Sequence, residues 1–121
     1  MKFTISLLPA LIATTRAIYI TSPPPPDPVD VSKNWTVTWT HVDTDPISFC
    51  LYLTNYKEYP PQEFFLSSAS RDPDTVVIQG RCYPGLRERS TYRVWASKCG
   101  DPLTIYAESR DFHVIQPGCP A

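Results

Sequence analysis

The sequence predicts an all-β domain: an antiparallel β-sandwich of immunoglobulin or fibronectin type III-like architecture with about seven strands. Three observations predict it. Apolar and polar side chains alternate with period two through most of the apolar segments, the pattern of half-buried strands. Fourteen prolines in 121 residues, about twice the usual frequency, interrupt every stretch that could otherwise hold a long helix, because proline lacks the amide donor of a helix or ladder. Turn signals then separate the segments at the pace expected of about seven strands in roughly 100 residues.

The chain opens with Met1-Lys2, an apolar run from Phe3 to Ala13, and the small or polar exit Thr14-Thr15-Arg16-Ala17. A basic start, an apolar centre and small residues at −3 and −1 predict a secretory signal peptide over residues 1–17, cleaved after Ala17. The run is shorter than the roughly 20 apolar residues that span a bilayer, so no membrane span is expected. Residues 18–121 form the single expected domain. Without Lys2 and Arg16, nine basic residues face twelve acidic ones. An acidic balance gives no general attraction to phosphate backbones, and nucleic acid is excluded as an expected partner.

The first strand is Ile18-Tyr19-Ile20. Pro23–Pro26 read as a stiff crossing loop in preference to a ligand for proline-binding modules. Trp35, Val37 and Trp39 alternate with Thr36, Thr38 and Thr40 in the second strand. Ile47, Phe49, Leu51 and Leu53 alternate with Ser48, Cys50, Tyr52 and Thr54 in the third. Phe64-Phe65-Leu66 is a brief fourth. Thr75–Ile78, β-branched throughout, is the fifth. Tyr92, Val94 and Ala96 alternate with Arg93, Trp95 and Ser97 in the sixth, where the apolar spacing rules out a helical stripe over residues 85–101. Ile105–Ile115 is long enough for one strand or two. Aspartate, proline and glycine clusters mark the turns at 43–46, 59–61, 71–74, 83–85, 99–102 and 116–118.

Cys50, Cys82, Cys99 and Cys119 all lie after residue 17. An even number of cysteines in a small secreted domain predicts two disulfides, and their spacing does not suit a metal site. Three connectivities are open; one pairs Cys50 with Cys99 if they lie on neighbouring strands, leaving Cys82 for Cys119 to pin the tail. Asn34-Trp35-Thr36 is an N-glycosylation sequon, which makes Asn34 a candidate modification site. No catalytic set stands out. There is no G-x-S-x-G elbow, His41 and His113 read as strand-end residues, and Asp43/Asp45 and Asp72/Asp74 stand beside prolines as turn residues. Neither catalytic residue, metal ligand nor cofactor is expected, and the chain is expected not to be an enzyme. Tyr52 and Trp95 fall on the strand faces opposite the main apolar sets. With Arg81, Tyr83 and Arg93 they make a candidate binding face, for sugar rings or for a protein; the competing reading places the aromatics in a second core layer.

Several of these residues carry a family resemblance. Ile18-Tyr19-Ile20-Thr21-Ser22-Pro23, Trp35-Thr36-Val37-Thr38-Trp39, the strand from Ile47 ending in Leu53-Thr54-Asn55, Tyr92-Arg93-Val94 and Tyr106–Val114 together resemble the N-terminal domain of the fungal KRE/KNH-type cell wall synthesis proteins. That family is Ser/Thr-rich and often GPI-anchored, and the likeness covers nearly all of residues 18–121. It implies a fibronectin- or immunoglobulin-like sandwich, a fungal source, and a link to cell wall β-1,6-glucan assembly. The expected partners are wall polysaccharide or an extracellular protein, and the expected location is extracellular or in the wall. The chain departs from the family pattern in ending at Ala121 without a Ser/Thr-rich stalk or an apolar tail. This raises a second expectation, a soluble extracellular interaction protein or host-directed effector.

Overall fold

In a computed structural model, residues 18–22, 27–57 and 60–120 are described. The signal peptide expected over 1–17 and the polyproline run Pro23–Pro26 lie outside the described residues. Among those described, nine strands and no helices form: β1 (Tyr19–Ile20), β2 (Val29–Asp30), β3 (Trp35–Thr40), β4 (Ser48–Asn55), β5 (Gln62–Ser70), β6 (Thr75–Ile78), β7 (Thr91–Lys98), β8 (Asp101–Glu108) and β9 (Phe112–Ile115).

They make the two sheets of an all-β sandwich. The small sheet runs β1-β3-β6; the large one runs β2-β9-β7-β4-β5, with β8 also paired to β7. Pairing is antiparallel except between β2 and β9, which are parallel through Val29↔Val114 and Asp30↔Ile115. The alternation read from the sequence sets the inner faces. Val37 and Trp39 of β3, Phe49, Leu51 and Leu53 of β4, Val94 of β7 and Val114 of β9 are buried in one core between the sheets. Trp39 meets Phe49 edge to face at 5.2 Å, and its indole N–H donates to the Arg71 carbonyl at 2.8 Å, so the polar edge of a buried ring is satisfied.

The strand count rises from about seven to nine for two local reasons. β2 is only two residues long and follows Pro28, so it offers no alternation to read. The final apolar run divides into β8 and β9. β8 begins at Asp101, inside a stretch expected to be turn, and contains Pro102, which the free edge of an outer strand tolerates. β5 is longer than Phe64–Leu66, because its polar tail Ser67–Ser70 stays hydrogen-bonded to β4 from Ser48 to Leu51. The segment between β6 and β7 is irregular, as its spacing indicates, with positive φ at Gly85 and Arg89.

Both disulfides are formed: Cys50–Cys99, with a Cα separation of 4.9 Å, and Cys82–Cys119, with 5.7 Å. The first ties the outward face of β4 to the β7–β8 turn. The second clamps the β6–β7 loop to the C-terminal tail. Gln116 reinforces this clamp: its Oε1 accepts from the Tyr83 amide at 2.9 Å and its Nε2 donates to the Tyr83 carbonyl at 3.2 Å.

Candidate functional site

β4 and β7 are central strands buried on both faces. Their outward residues build a second, smaller aromatic layer on the solvent side of the large sheet. Tyr52 lies opposite both Phe65 on β5 and Trp95 on β7, and Trp95 lies opposite Glu108 on β8. One cross-strand row therefore runs Phe65, Tyr52, Trp95, Glu108 over four strands. Tyr52 and Trp95 pack with Cys50 beneath the surface. Each is flanked by an exposed ring: Phe65 meets Tyr52 at 5.7 Å, and Tyr56 lies against Trp95 at 4.8 Å. Phe65 and Tyr56 are each 49% exposed, so the outer rings offer apolar surface while the inner two hold them in place.

Beside this row a cleft of about 160 Å³ opens. A one-residue surplus in the link between β8 and β9, a bulge against β7, makes its charged wall. Glu108 pairs with Trp95 and Phe112 with Tyr92, so residues 109–111 stand against only Val94 and Arg93. Ser109 absorbs the surplus. Its amide donates to the Val94 carbonyl at 2.8 Å, and its hydroxyl oxygen accepts from the Val94 amide at 2.8 Å, replacing a lost ladder bond. β9 thus continues along the edge of β7 that β8 occupies, while Glu108 and Asp111 both come to bear on the outward Arg93. Bulges commonly re-aim side chains in this way.

Arg93 donates to Glu108 Oε1 at 2.5 Å and to Asp111 Oδ1 at 2.8 Å. Lys57 also donates to Asp111. Glu108 Oε1 accepts in addition from the Trp95 indole N–H at 3.2 Å, which fixes the indole and guanidinium relative to each other. Tyr56 donates to Glu63 at 3.1 Å. The hydrogen bond to Glu108 raises Arg93 above the ordinary arginine value. Burial pushes the Asp111 carboxyl up, but the bonds from Lys57 and Arg93 outweigh it and hold this group below the ordinary value of 3.8. Burial, followed by the Glu63 carboxylate, raises the Tyr56 phenol, which stays a donor. The wall thus consists of fixed charges in opposite pairs and the rings of Tyr56, Tyr92 and Trp95.

The structure divides the residues singled out from the sequence. Tyr52, Arg93 and Trp95 come together here, with both aromatics in a buried layer. Arg81 and Tyr83 do not join them. Tyr83, 2% exposed, enters the inner core against Phe64, because the disulfide at Cys82 and Gln116 pull its loop over the end of the sandwich. Arg81 covers the Tyr83 ring at 4.6 Å and donates to the Phe65 carbonyl. Asn34 is exposed at the start of β3, its Oδ1 accepting from the Gly80 amide at 2.8 Å. Tyr56, Lys57, Glu108 and Asp111 escaped the sequence reading. The first two follow the regular part of β4, and the last two are joined to Arg93 only by a bulge without a composition signature.

The histidines do more than end strands. His41 lies between Asp74, on Nδ1 at 2.5 Å, and Asp72, on Nε2 at 3.2 Å, tying β3 to the β5–β6 turn. The carboxylates address opposite ring nitrogens, and one ligand atom from each of the three residues lies within 4.8 Å of the other two. His113 pairs with Asp27 at 3.0 Å, and its hydrogen bonds lower the Asp27 carboxyl.

Comparison with known proteins finds two fungal relatives. The chain is 39% identical over 120 residues to a UPF0619 GPI-anchored membrane protein of Aspergillus fumigatus, covering 98% of this chain and 53% of that protein. It is 31% identical over 116 residues to an uncharacterized protein of Schizosaccharomyces pombe, covering 96% of this chain and 32% of that protein. The chain therefore spans about half or less of the curated relatives it matches, and both are fungal. No family model matches it, and no solved structure does. The relation is to fungal proteins, one of them described as a GPI-anchored membrane protein; neither relative's name carries the cell wall synthesis family that the residues resemble. No helix among the described residues is long and apolar enough to cross a membrane.

Proposed function

We propose that this domain is a non-catalytic binding and scaffolding module of the fungal cell surface, linked to cell wall β-1,6-glucan assembly as its resemblance to the KRE/KNH-type proteins implies, and that the outer face of the large sheet is its contact surface. The observation that carries the reading is the cleft at Arg93, where the buried Trp95 holds one exposed ring, Tyr56, beside fixed, mutually paired charges. The relative described as a GPI-anchored membrane protein supports the surface location. Secretion through a leader over residues 1–17 and glycosylation at Asn34 belong to the same reading.

The carboxylates favour binding over hydrolysis. A glycosidase needs one carboxyl kept protonated as an acid and a second held apart across the substrate. Here Glu108 and Asp111 share one guanidinium, and Asp111 is held ionised. The pair serves to position Arg93.

The test is partition. The full chain, expressed through a fungal secretory route with an epitope tag, is expected in the wall and surface fraction. Quantitative recovery in the medium, with none retained by intact cells or isolated walls, would contradict the reading and favour a freely diffusing extracellular protein.

A further inference from the structure

The geometry points to a neutral hexopyranose unit of a polysaccharide as the ligand of the cleft between Tyr56 and Arg93, an inference that rests on the outer face being the contact surface. Size sets the first limit. At about 160 Å³ the cleft is well below the ~300 Å³ lower bound of drug-sized pockets. That is room for one saturated ring, with the rest of a chain lying outside.

Charge sets the second. Lys57 and Arg93 face Glu108 and Asp111, two cations against two anions, each already bonded to an opposite partner. An anionic ligand gains the attraction of one pair and meets the repulsion of the other, with Glu63 adding a further carboxylate behind Tyr56. A cation meets the reverse conflict. A neutral ligand meets neither, yet finds both donors and acceptors.

Chemistry sets the third. The hydroxyls of a pyranose both donate and accept, as a wall of alternating guanidinium, ammonium and carboxylate groups requires, and its axial C–H face stacks on an aromatic ring. Tyr56 supplies that ring. It is half exposed, backed by Trp95 at 4.8 Å and anchored through its hydroxyl. A docked protein would need about 800 Å² of matching surface on each side, for which a one-ring cleft with charged walls is a poor centre.

The experiment is calorimetric titration of the disulfide-bonded full chain with gentio-, laminari- and manno-oligosaccharides as neutral probes and oligogalacturonate as the anionic one. Expected are binding of at least one neutral series and its persistence at high salt, because no net charge is exchanged. Tyr56→Ala should weaken it about tenfold through loss of one stack, with Lys57→Ala weakening it less. Val77→Ser, on the exposed face of the opposite sheet, is expected to change nothing. Near-ultraviolet circular dichroism confirms that each variant is folded. Preference for oligogalacturonate, or neutral binding untouched by Tyr56→Ala, would overturn the inference. If walls retain the chain but no neutral oligosaccharide competes and Tyr56→Ala is retained equally, the inference falls while the binding-module reading stands. If neutral sugars bind through Tyr56 but walls retain nothing, the wall-module reading falls while the inference stands.

Discussion

Trp95 and Tyr56 touch each other yet do different work. Trp95 is buried among Cys50, Tyr52 and the Tyr56 ring, so Trp95→Ala is expected to cost about 3–5 kcal/mol, the range for removing a buried large aromatic side chain. Tyr56→Ala removes a half-exposed ring at a strand end and should cost about 1 kcal/mol or less; urea denaturation of the two variants separates them. Gly80 is constrained by its neighbours. A Cβ there would stand 2.5 Å from the Ser32 carbonyl oxygen and 2.6 Å from Lys33 backbone atoms. Since backbone cannot swing aside as a side chain can, Gly80→Ala is expected to lose about 1–3 kcal/mol by overpacking. Asp111 gives a pH dependence of known sign. Its carboxyl lies below 3.8 in the fold, so the unfolded chain takes up the proton first as pH falls. The stabilisation is fully present above 3.8 and is lost as pH drops through the lower folded value. Acid unfolding of Asp111→Asn should therefore be flatter than wild type below pH 3.8, with little difference in slope at neutral pH.

At the scale of elements, what could be read from the sequence follows from where each strand lies. β3, β4, β6 and β7 were legible because each has a core-facing set with period two or an unbroken β-branched run. β2 was not, since two residues have no period, and β8–β9 read as one run because the bulge at Ser109–Asp111 replaces a backbone bond with an ordinary serine hydroxyl. The same bulge hid half of the candidate site. Tyr52, Arg93 and Trp95 were visible as outward residues, but nothing in the sequence announces that residues 108 and 111 face the same guanidinium. Arg81 and Tyr83 were grouped with that face by proximity in sequence, whereas the clamp between their loop and the tail turns Tyr83 inward. The clamp and the outer staple are also the elements to compare energetically. Their loops of 37 and 49 residues differ by much less than a doubling, worth only about 0.6 kcal/mol. Replacing either pair with serines should cost about 2–4 kcal/mol in thermal or urea unfolding, with near equality if chain entropy dominates. A larger loss for Cys50–Cys99 would instead report the packing of Cys50 beneath Tyr52 and Trp95.

At the scale of the whole molecule, the sandwich separates its tasks. The inner faces make a single core that ends at Tyr83 and the tail clamp, while the outer face of the large sheet carries a second aromatic layer. The small sheet's outward side presents Thr36, Thr38 and Val77 instead. This asymmetry is the basis for reading one face as the contact surface of a fungal surface module. The most direct test is chemical-shift mapping of the ¹⁵N-labelled chain titrated with solubilised neutral wall glucan. The account predicts perturbations concentrated at Tyr56, Lys57, Arg93, Glu108, Asp111 and the Trp95 indole N–H; perturbations confined to Tyr19, Thr36 and Val77 on the opposite sheet, or none at saturating glucan, would contradict it.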